Sequence, residues 1–159
     1  MAAPKRDLLT DHLAFLRALN KHRVRFMIVG MSAARLHGSP LVTEDIDLWI
    51  RTFPTRAFLR AVAQVDGIYV PPTAFTPPML AGDAVSIFDL VLTMHGLESF
   101  EKEYRRAITM QVRRVPVKVL PLERIIASKR AANREKDRHA LPRLLNTLKT
   151  QLGLQRKKS

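Results

Sequence analysis

Asp45-Ile46-Asp47-Leu48-Trp49-Ile50 alternates strictly, and that alternation decides how the chain is read. Successive side chains of a strand point to opposite faces, so Asp45, Asp47 and Trp49 share one side and Ile46, Leu48 and Ile50 the other. Residues two apart on a strand project about 6.5–7 Å from one another, where two carboxylates can converge on a shared cation. Two hard anions suit a hard cation. Magnesium takes oxygen ligands, keeps several waters and relies on a few carboxylates plus substrate phosphates. Taken alone, the pair is more commonly the solvated outer face of a strand.

Upstream, Phe26-Met27-Ile28-Val29 is a short apolar run ended by Gly30, which predicts a buried strand turning tightly into a small helix over Ser32 to His37. Gly38-Ser39-Pro40 breaks that helix. A strand end, a glycine and a hydroxyl just before a helix form a place where backbone N–H groups can receive a phosphate, although Ser32 equally serves as a plain helix cap. Before this unit, Leu8, Leu9, Leu13, Leu16 and Leu19 recur at helical spacing, with Lys21-His22-Arg23 where cations favour a helix C-terminus.

Downstream, Pro54 introduces Phe58, Leu59, Val62 and Val65 at helical spacing. Four of the ten prolines fall in Pro71 to Pro78, a surface loop expected to border a cleft. Ala84 to Leu92 reads as a strand, and Asp89 stands out in its apolar run because a buried carboxylate needs donors, a cation or a metal. Together with Asp45 and Asp47, it would give the three carboxylates that a two-metal site requires. Phe100 to Arg106 predicts a helix, Val112 to Leu120 a strand or hairpin arm, and Leu122, Ile125 and Ile126 a helix running to Ala132. Leu141, Leu144, Leu145, Leu148 and Leu152 mark the stripe of a last helix, starting or kinking at Pro142.

The order of elements gives an α+β (mixed α/β) class: a small mixed sheet with flanking helices. At 159 residues the chain makes one domain, expected over 1–153, with its core in 24–120, basic helices in 121–153 and a disordered basic tail in 154–159. The absence of cysteine excludes disulfide frameworks and thiolate metal sites. Asp7 and Asp11 interrupt any signal peptide, and no apolar run spans a membrane, so a soluble, cytoplasmic protein is expected. The net charge is +13, of which residues 101–159 carry +12. Such a half suits a polyanion, although a solvated basic face has the same composition.

Gly30-x-Ser32, then Asp45-x-Asp47, then the lone strand Asp89 resembles the nucleotidyltransferase superfamily that shares the DNA polymerase beta core. The stretch Val29 to Gly38, followed by Thr43-Glu44-Asp45-Ile46-Asp47-Leu48, is similar to a short bacterial branch that includes AbiEii-type toxin proteins. The run from Glu123 to Asp137, with Lys129, Arg134 and Lys136-Asp137, is similar to that branch's second signature. The resemblance covers roughly residues 24–140.

It implies a nucleotidyltransferase-like fold and a magnesium-dependent enzyme, with two ions, that moves a nucleoside monophosphate from a nucleoside triphosphate to a hydroxyl. Asp45, Asp47 and Asp89 would hold magnesium and activate the acceptor. Gly30 and Ser32 would contact the triphosphate, Lys129 would face the phosphates, and Asp137 would support the site. Arg134 and Lys136 would support it or contact RNA. With the basic half, the expected acceptor is RNA, tRNA first, and a toxin-like role would bring an antitoxin partner. Met31 departs from the small residue usual after the glycine. Two alternatives stay open: the same core modifying a small molecule or protein hydroxyl, and a catalytically silent basic protein that binds RNA or a partner.

Overall fold

The computed structural model describes residues 8–40, 44–52 and 54–158. Thr43 of the first signature and Ser159 of the basic tail lie outside the described residues. Helix α1 (Leu8–Lys21) leads into β1 (Phe26–Val29), α2 (Gly30–Leu36), β2 (Ile46–Ile50) and α3 (Arg56–Gln64). A hairpin of β3 (Ile68–Val70) and β4 (Met79–Ala81) follows, then β5 (Phe88–Val91) and α4 (Phe100–Arg106). Strands β6 (Ile108–Val112) and β7 (Val115–Val119) precede α5 (Leu122–Ala132) and α6 (Glu135–Lys158).

The main sheet is five-stranded and mixed, in the order β5-β2-β1-β7-β6. β1 runs antiparallel to β2 and parallel to β7, while β2 runs parallel to the edge strand β5. Two registers position the site. Asp47 stands opposite Val29, the last residue of β1, and also beside Asp89 on β5. β1 is buried throughout, as its uninterrupted apolar run requires. In β2 both the Leu48/Ile50 face and Trp49 are buried, Trp49 edge-on to Phe100 of α4. Only the first end of the strand opens to solvent.

Phe15, Leu16 and Leu19 of α1 and Phe58, Ala61 and Val62 of α3 are buried, and these two helices pack on one another. A second group forms where α5 packs on α2 and α6. Thr55 caps α3 by accepting from the Phe58 N–H at 3.1 Å, and Ser99 caps α4 in the same way. Glu103 is fully buried on α4 and ties it to α5 through Arg124, at 2.7 Å.

Three expectations are corrected. The strand over Ala84 to Leu92 is only Phe88–Val91, because residues 83–87 turn back from the hairpin. Pro142 does not start the last helix, which begins at Glu135 and contains it. That helix also continues as far as Lys158, through most of the tail expected to be disordered, ending in Arg156, Lys157 and Lys158 where cations offset the carbonyl end of the helix dipole. No helix among the described residues is long and apolar enough to cross a membrane.

Candidate functional site

A cavity of about 960 Å³ opens beside the end of β1, the start of β2 and the edge strand β5, and α5 and α6 line its other side. Asp45, Asp47 and Asp89 line the sheet side. Lys129 and Ser128 of α5, Arg134 just before α6, and Lys136, His139 and Arg143 of α6 line the helical side. Gly30, Met31 and Met94 add floor and wall. Acidic and basic groups at least forty residues apart in sequence thus face each other across one opening.

Asp47 is the most perturbed of the carboxylates. Its burial, joined by the charges of Asp89 and Asp45 and only partly offset by Lys129 and Lys136, pushes its carboxyl up to about 6. Asp89 is also raised, by partial desolvation of its carboxyl and by the charge of Asp45. The expectation of a buried Asp89 is corrected: it is an exposed residue, since β5 is the sheet edge and its side chain meets the cavity mouth. Among the described residues, no three His, Cys, Asp or Glu side chains are gathered closely enough, as they stand, to hold a metal ion.

Gly30 follows Val29, so the β1–β2 register carries it directly beneath Asp47. Its φ of +62° lies in the left-handed region, and a Cβ built on it would collide with Asp47 Oδ2. The backbone conformation favours glycine, and any side chain there would push the Asp47 carboxylate aside. Gly30→Ala is expected to cost about 2 kcal/mol in a urea melt, combining backbone strain with displacement of the Asp47 carboxylate. A cost below 0.5 kcal/mol, roughly that of a surface change, would mean that the turn relaxes freely.

Ser32 is placed differently from expectation. It lies within α2, not at its cap, and does not line the cavity. Its Oγ donates to the Val29 carbonyl at 2.8 Å and accepts from the Asp47 N–H at 3.1 Å. The hydroxyl braces the strand end against Asp47, the buried and twice-engaged role of a structural serine.

Lys129 is 15% exposed and its Nζ donates to Asp137 Oδ1 at 3.0 Å. Asp137 is fully buried and accepts three further bonds from Arg134: from Nε at 2.7 Å, from Nη2 at 3.3 Å and from the backbone N–H at 3.1 Å. The backbone bond reaches back to the residue before α6, as the acidic member of a capping box does. Burial raises the Asp137 carboxyl, but the bonds from Arg134 and Lys129 outweigh it and hold the group at about 2. Asp137 thus supports Lys129, which in turn lies near enough to lower Asp47.

Sequence reasoning missed Ser128 and Arg143. The signal for Arg143 was present: Lys136, Ala140 and Arg143 recur at i, i+4 and i+7, one face of a helix. His139 is exposed and lines the cavity. His37 is buried, its Nε2 donating to the Leu120 carbonyl at 2.8 Å and its Nδ1 accepting from Gln151 at 3.2 Å. None of residues 71–78 lines the cavity.

None of the curated proteins matches the chain. Among solved structures it is similar to ANT(2")-Ia, crystallised in complex with adenylyl-2"-tobramycin, at 15% identity over 88% of both chains with a TM-score of 0.58. The solution structure of the antibiotic-resistance factor ANT(2'')-Ia gives 18% identity over 88% of this chain and 83% of that one, with a TM-score of 0.59. An antigenic nucleotidyltransferase-like protein from Paracoccidioides brasiliensis gives 16% identity, coverage of 92% and 77%, and a TM-score of 0.54. At these identities the likeness is one of fold, and it bears out the mixed α+β nucleotidyltransferase-like architecture.

Residues 8–158 match the family described as nucleotidyl transferase of unknown function (DUF2204). The match bears out the superfamily resemblance, whereas neither comparison reaches the AbiEii-type branch. With 151 of its residues inside that match, the chain belongs to this family and is a nucleotidyltransferase.

Proposed function

We propose that the enzyme moves a nucleoside monophosphate from a nucleoside triphosphate to a hydroxyl of RNA, with tRNA the first acceptor to test, and that it uses magnesium. The observation that carries this reading is a cavity in which Asp45, Asp47 and Asp89 face Lys129, Lys136 and Arg143. Three carboxylates offer only hard oxygen donors, and ionised Asp47 is held among like charges, so the donor set suits a divalent cation. Asp45, Asp47 and Asp89 would hold it. Bound there, magnesium supplies charge neutralisation and Lewis acidity at the phosphates.

The chain's own part in the reaction is alignment and charge. Gly30 leaves room beneath Asp47, and Lys129 faces the phosphates while Asp137 and Arg134 fix it. Asp89, exposed at the cavity mouth, accepts the proton of the acceptor hydroxyl. That oxygen bonds to the α-phosphorus, the α–β bridging P–O bond breaks, and pyrophosphate leaves.

Charge selects the acceptor. Helix α6 carries seven Lys and Arg against two acidic residues, and its Lys136 and Arg143 line the cavity before the helix continues to Arg156, Lys157 and Lys158. A polyanion is drawn along such a surface. The second reading is a small-molecule hydroxyl, favoured by the fold neighbour that carries adenylyl-2"-tobramycin. An amine-rich acceptor of that kind would meet like charge on α6. The toxin role and an antitoxin partner rest on the AbiEii-type resemblance alone and stand outside this proposal.

The test is incorporation of α-labelled nucleotide into purified tRNA, with each nucleoside triphosphate in turn, alongside RNA binding at 50 and 200 mM salt. Label transfer that Asp45→Asn abolishes, and binding that weakens at least about tenfold across that salt range, are expected. Salt-independent binding with no label in RNA, beside label in a small-molecule hydroxyl, would replace the first reading with the second.

A further inference from the structure

The side chains expected to grip the triphosphate already have partners, and Gly30, which lines the cavity, offers only its backbone. Ser32 has both its donor and its acceptor bound within the β1–α2–β2 brace and does not line the cavity. Lys129 and Arg134 line it, yet both are bound to the fully buried Asp137. Each keeps further donors, but its position is set by Asp137, so cavity groups without such an anchor are the freer ones to follow the phosphate oxygens.

Two cavity groups answer. Ser128 is 8% exposed, the remaining exposure opens into the cavity, and its hydroxyl makes no hydrogen bond with a described residue. No buried side-chain polar atom among the described residues lacks a partner, so the Ser128 Oγ is in reach of solvent and open to a ligand. It lines the same cavity as Asp47. Lys136 is exposed, lines the same cavity, lies close enough to Asp47 to lower its carboxyl, and forms no ion pair with a described residue. Its ammonium can supply three donors.

We propose that Ser128 and Lys136 are the direct polyphosphate-binding residues of this enzyme, the Ser128 hydroxyl and the Lys136 ammonium each donating to phosphate oxygens. Lys129 is then a positioning and charge-balancing residue, fixed by Asp137 between the carboxylates and the phosphates. This rests on the nucleotidyl-transfer reading and adds to it which side chains touch the triphosphate. It also resolves how a chain whose Ser32 is turned inward, and which carries Met31 beside the glycine, still presents a hydroxyl to the nucleotide: the hydroxyl comes from α5 and not from the β1–α2 turn.

The probe is inorganic tripolyphosphate with magnesium, which shares its chemistry with all four nucleoside triphosphates and removes the base from the comparison. Titrated calorimetrically into the full chain, it is expected to bind the wild type. Ser128→Ala should weaken binding about tenfold, the loss of one hydrogen bond to a charged group, with the melting temperature of the ligand-free protein unchanged. Lys136→Ala should weaken it by at least as much and flatten its salt dependence. With the four nucleoside triphosphates as substrates, both variants should raise KM far more than they lower kcat, a split that a packing defect would not produce.

Tripolyphosphate binding within twofold of wild type in both variants would overturn the assignment while leaving nucleotidyl transfer intact. A Ser128→Ala protein that binds normally but melts several degrees lower would make Ser128 structural, and would overturn its role too. Should the wild type bind neither tripolyphosphate nor any nucleoside triphosphate with magnesium, the underlying reading fails and this assignment falls with it.

Discussion

Asp47→Asn is expected to abolish nucleotidyl transfer, by about a thousandfold or more, and at the same time to make the protein more stable at neutral pH. The first effect follows from removing the central of three oxygen donors, where cation stabilisation of transferring phosphates is worth several kcal/mol. The second follows from the same carboxylate's surroundings. Asp47 is raised to about 6 in the fold against 3.8 as its ordinary value, first by burial and then by Asp89. The folded state therefore holds the proton more tightly than the unfolded one, so stability is lost as pH rises from about 4 through 6. Above that range the ionised group costs about 2 kcal/mol, after allowing for the part of it that still meets water.

The neutral, nearly isosteric amide escapes that cost. Thermal melts should show the variant about 4–8 °C above wild type at pH 8 and level with it, or below, at pH 4. An active Asp47→Asn enzyme would remove Asp47 from the site. An inactive one that is also less stable at pH 8 would mean that the carboxylate is anchored by the fold and not strained by it.

Asp137→Ala is the largest expected loss of stability. The carboxylate is fully buried and takes bonds from Lys129 Nζ, Arg134 Nε, Arg134 Nη2 and the Arg134 backbone. Breaking a buried ion pair leaves its partner uncompensated, at about 3–5 kcal/mol. Arg134 is half in solvent and recovers water, so the lower end, about 3 kcal/mol, is expected. Lys129, freed from its anchor, loses its place beside Asp47, and transfer should fall even where the variant remains folded.

The pH signature of Asp137 is opposite to that of Asp47. Its folded value, about 2, lies below its ordinary 3.8, so its contribution is complete above about 4 and is lost as pH falls towards 2. Urea melts of wild type should therefore lose stability steeply between pH 4 and 2, and Asp137→Asn should flatten that slope. A variant with the wild-type slope would show that Asp137 does not carry the acid sensitivity of the α5–α6 junction.

Several parts of the fold were legible because they are local. The apolar run Phe26–Val29, the alternation from Asp45, and the leucines Leu13, Leu16 and Leu19 of α1 and Leu144 of α6 fall on buried faces that local periodicity defines. The hairpin β3–β4 was not legible: each strand has three residues, too few for a period, and prolines separate them. β6 was missed for a different reason. Its turn to β7 is Arg113-Arg114, both at positive φ, where Asn-Gly would ordinarily announce a hairpin. The strand pairing around the turn imposes a conformation that these residues do not themselves favour.

By itself, the sequence determined the mixed α+β class, the order of the three carboxylates and the charge of the C-terminal half, since composition and spacing are carried by each segment alone. Only the tertiary structure decided which groups are available. Register set Gly30 under Asp47 and Asp89 beside it. Pairing of β1 with β2 turned Ser32 into a brace, while packing of α5 and α6 bound Lys129 to Asp137 and left Ser128 and Lys136 facing the cavity. Whether a hydroxyl or an ammonium can meet a ligand depends on what already satisfies it, and those partners come from segments far apart in the chain.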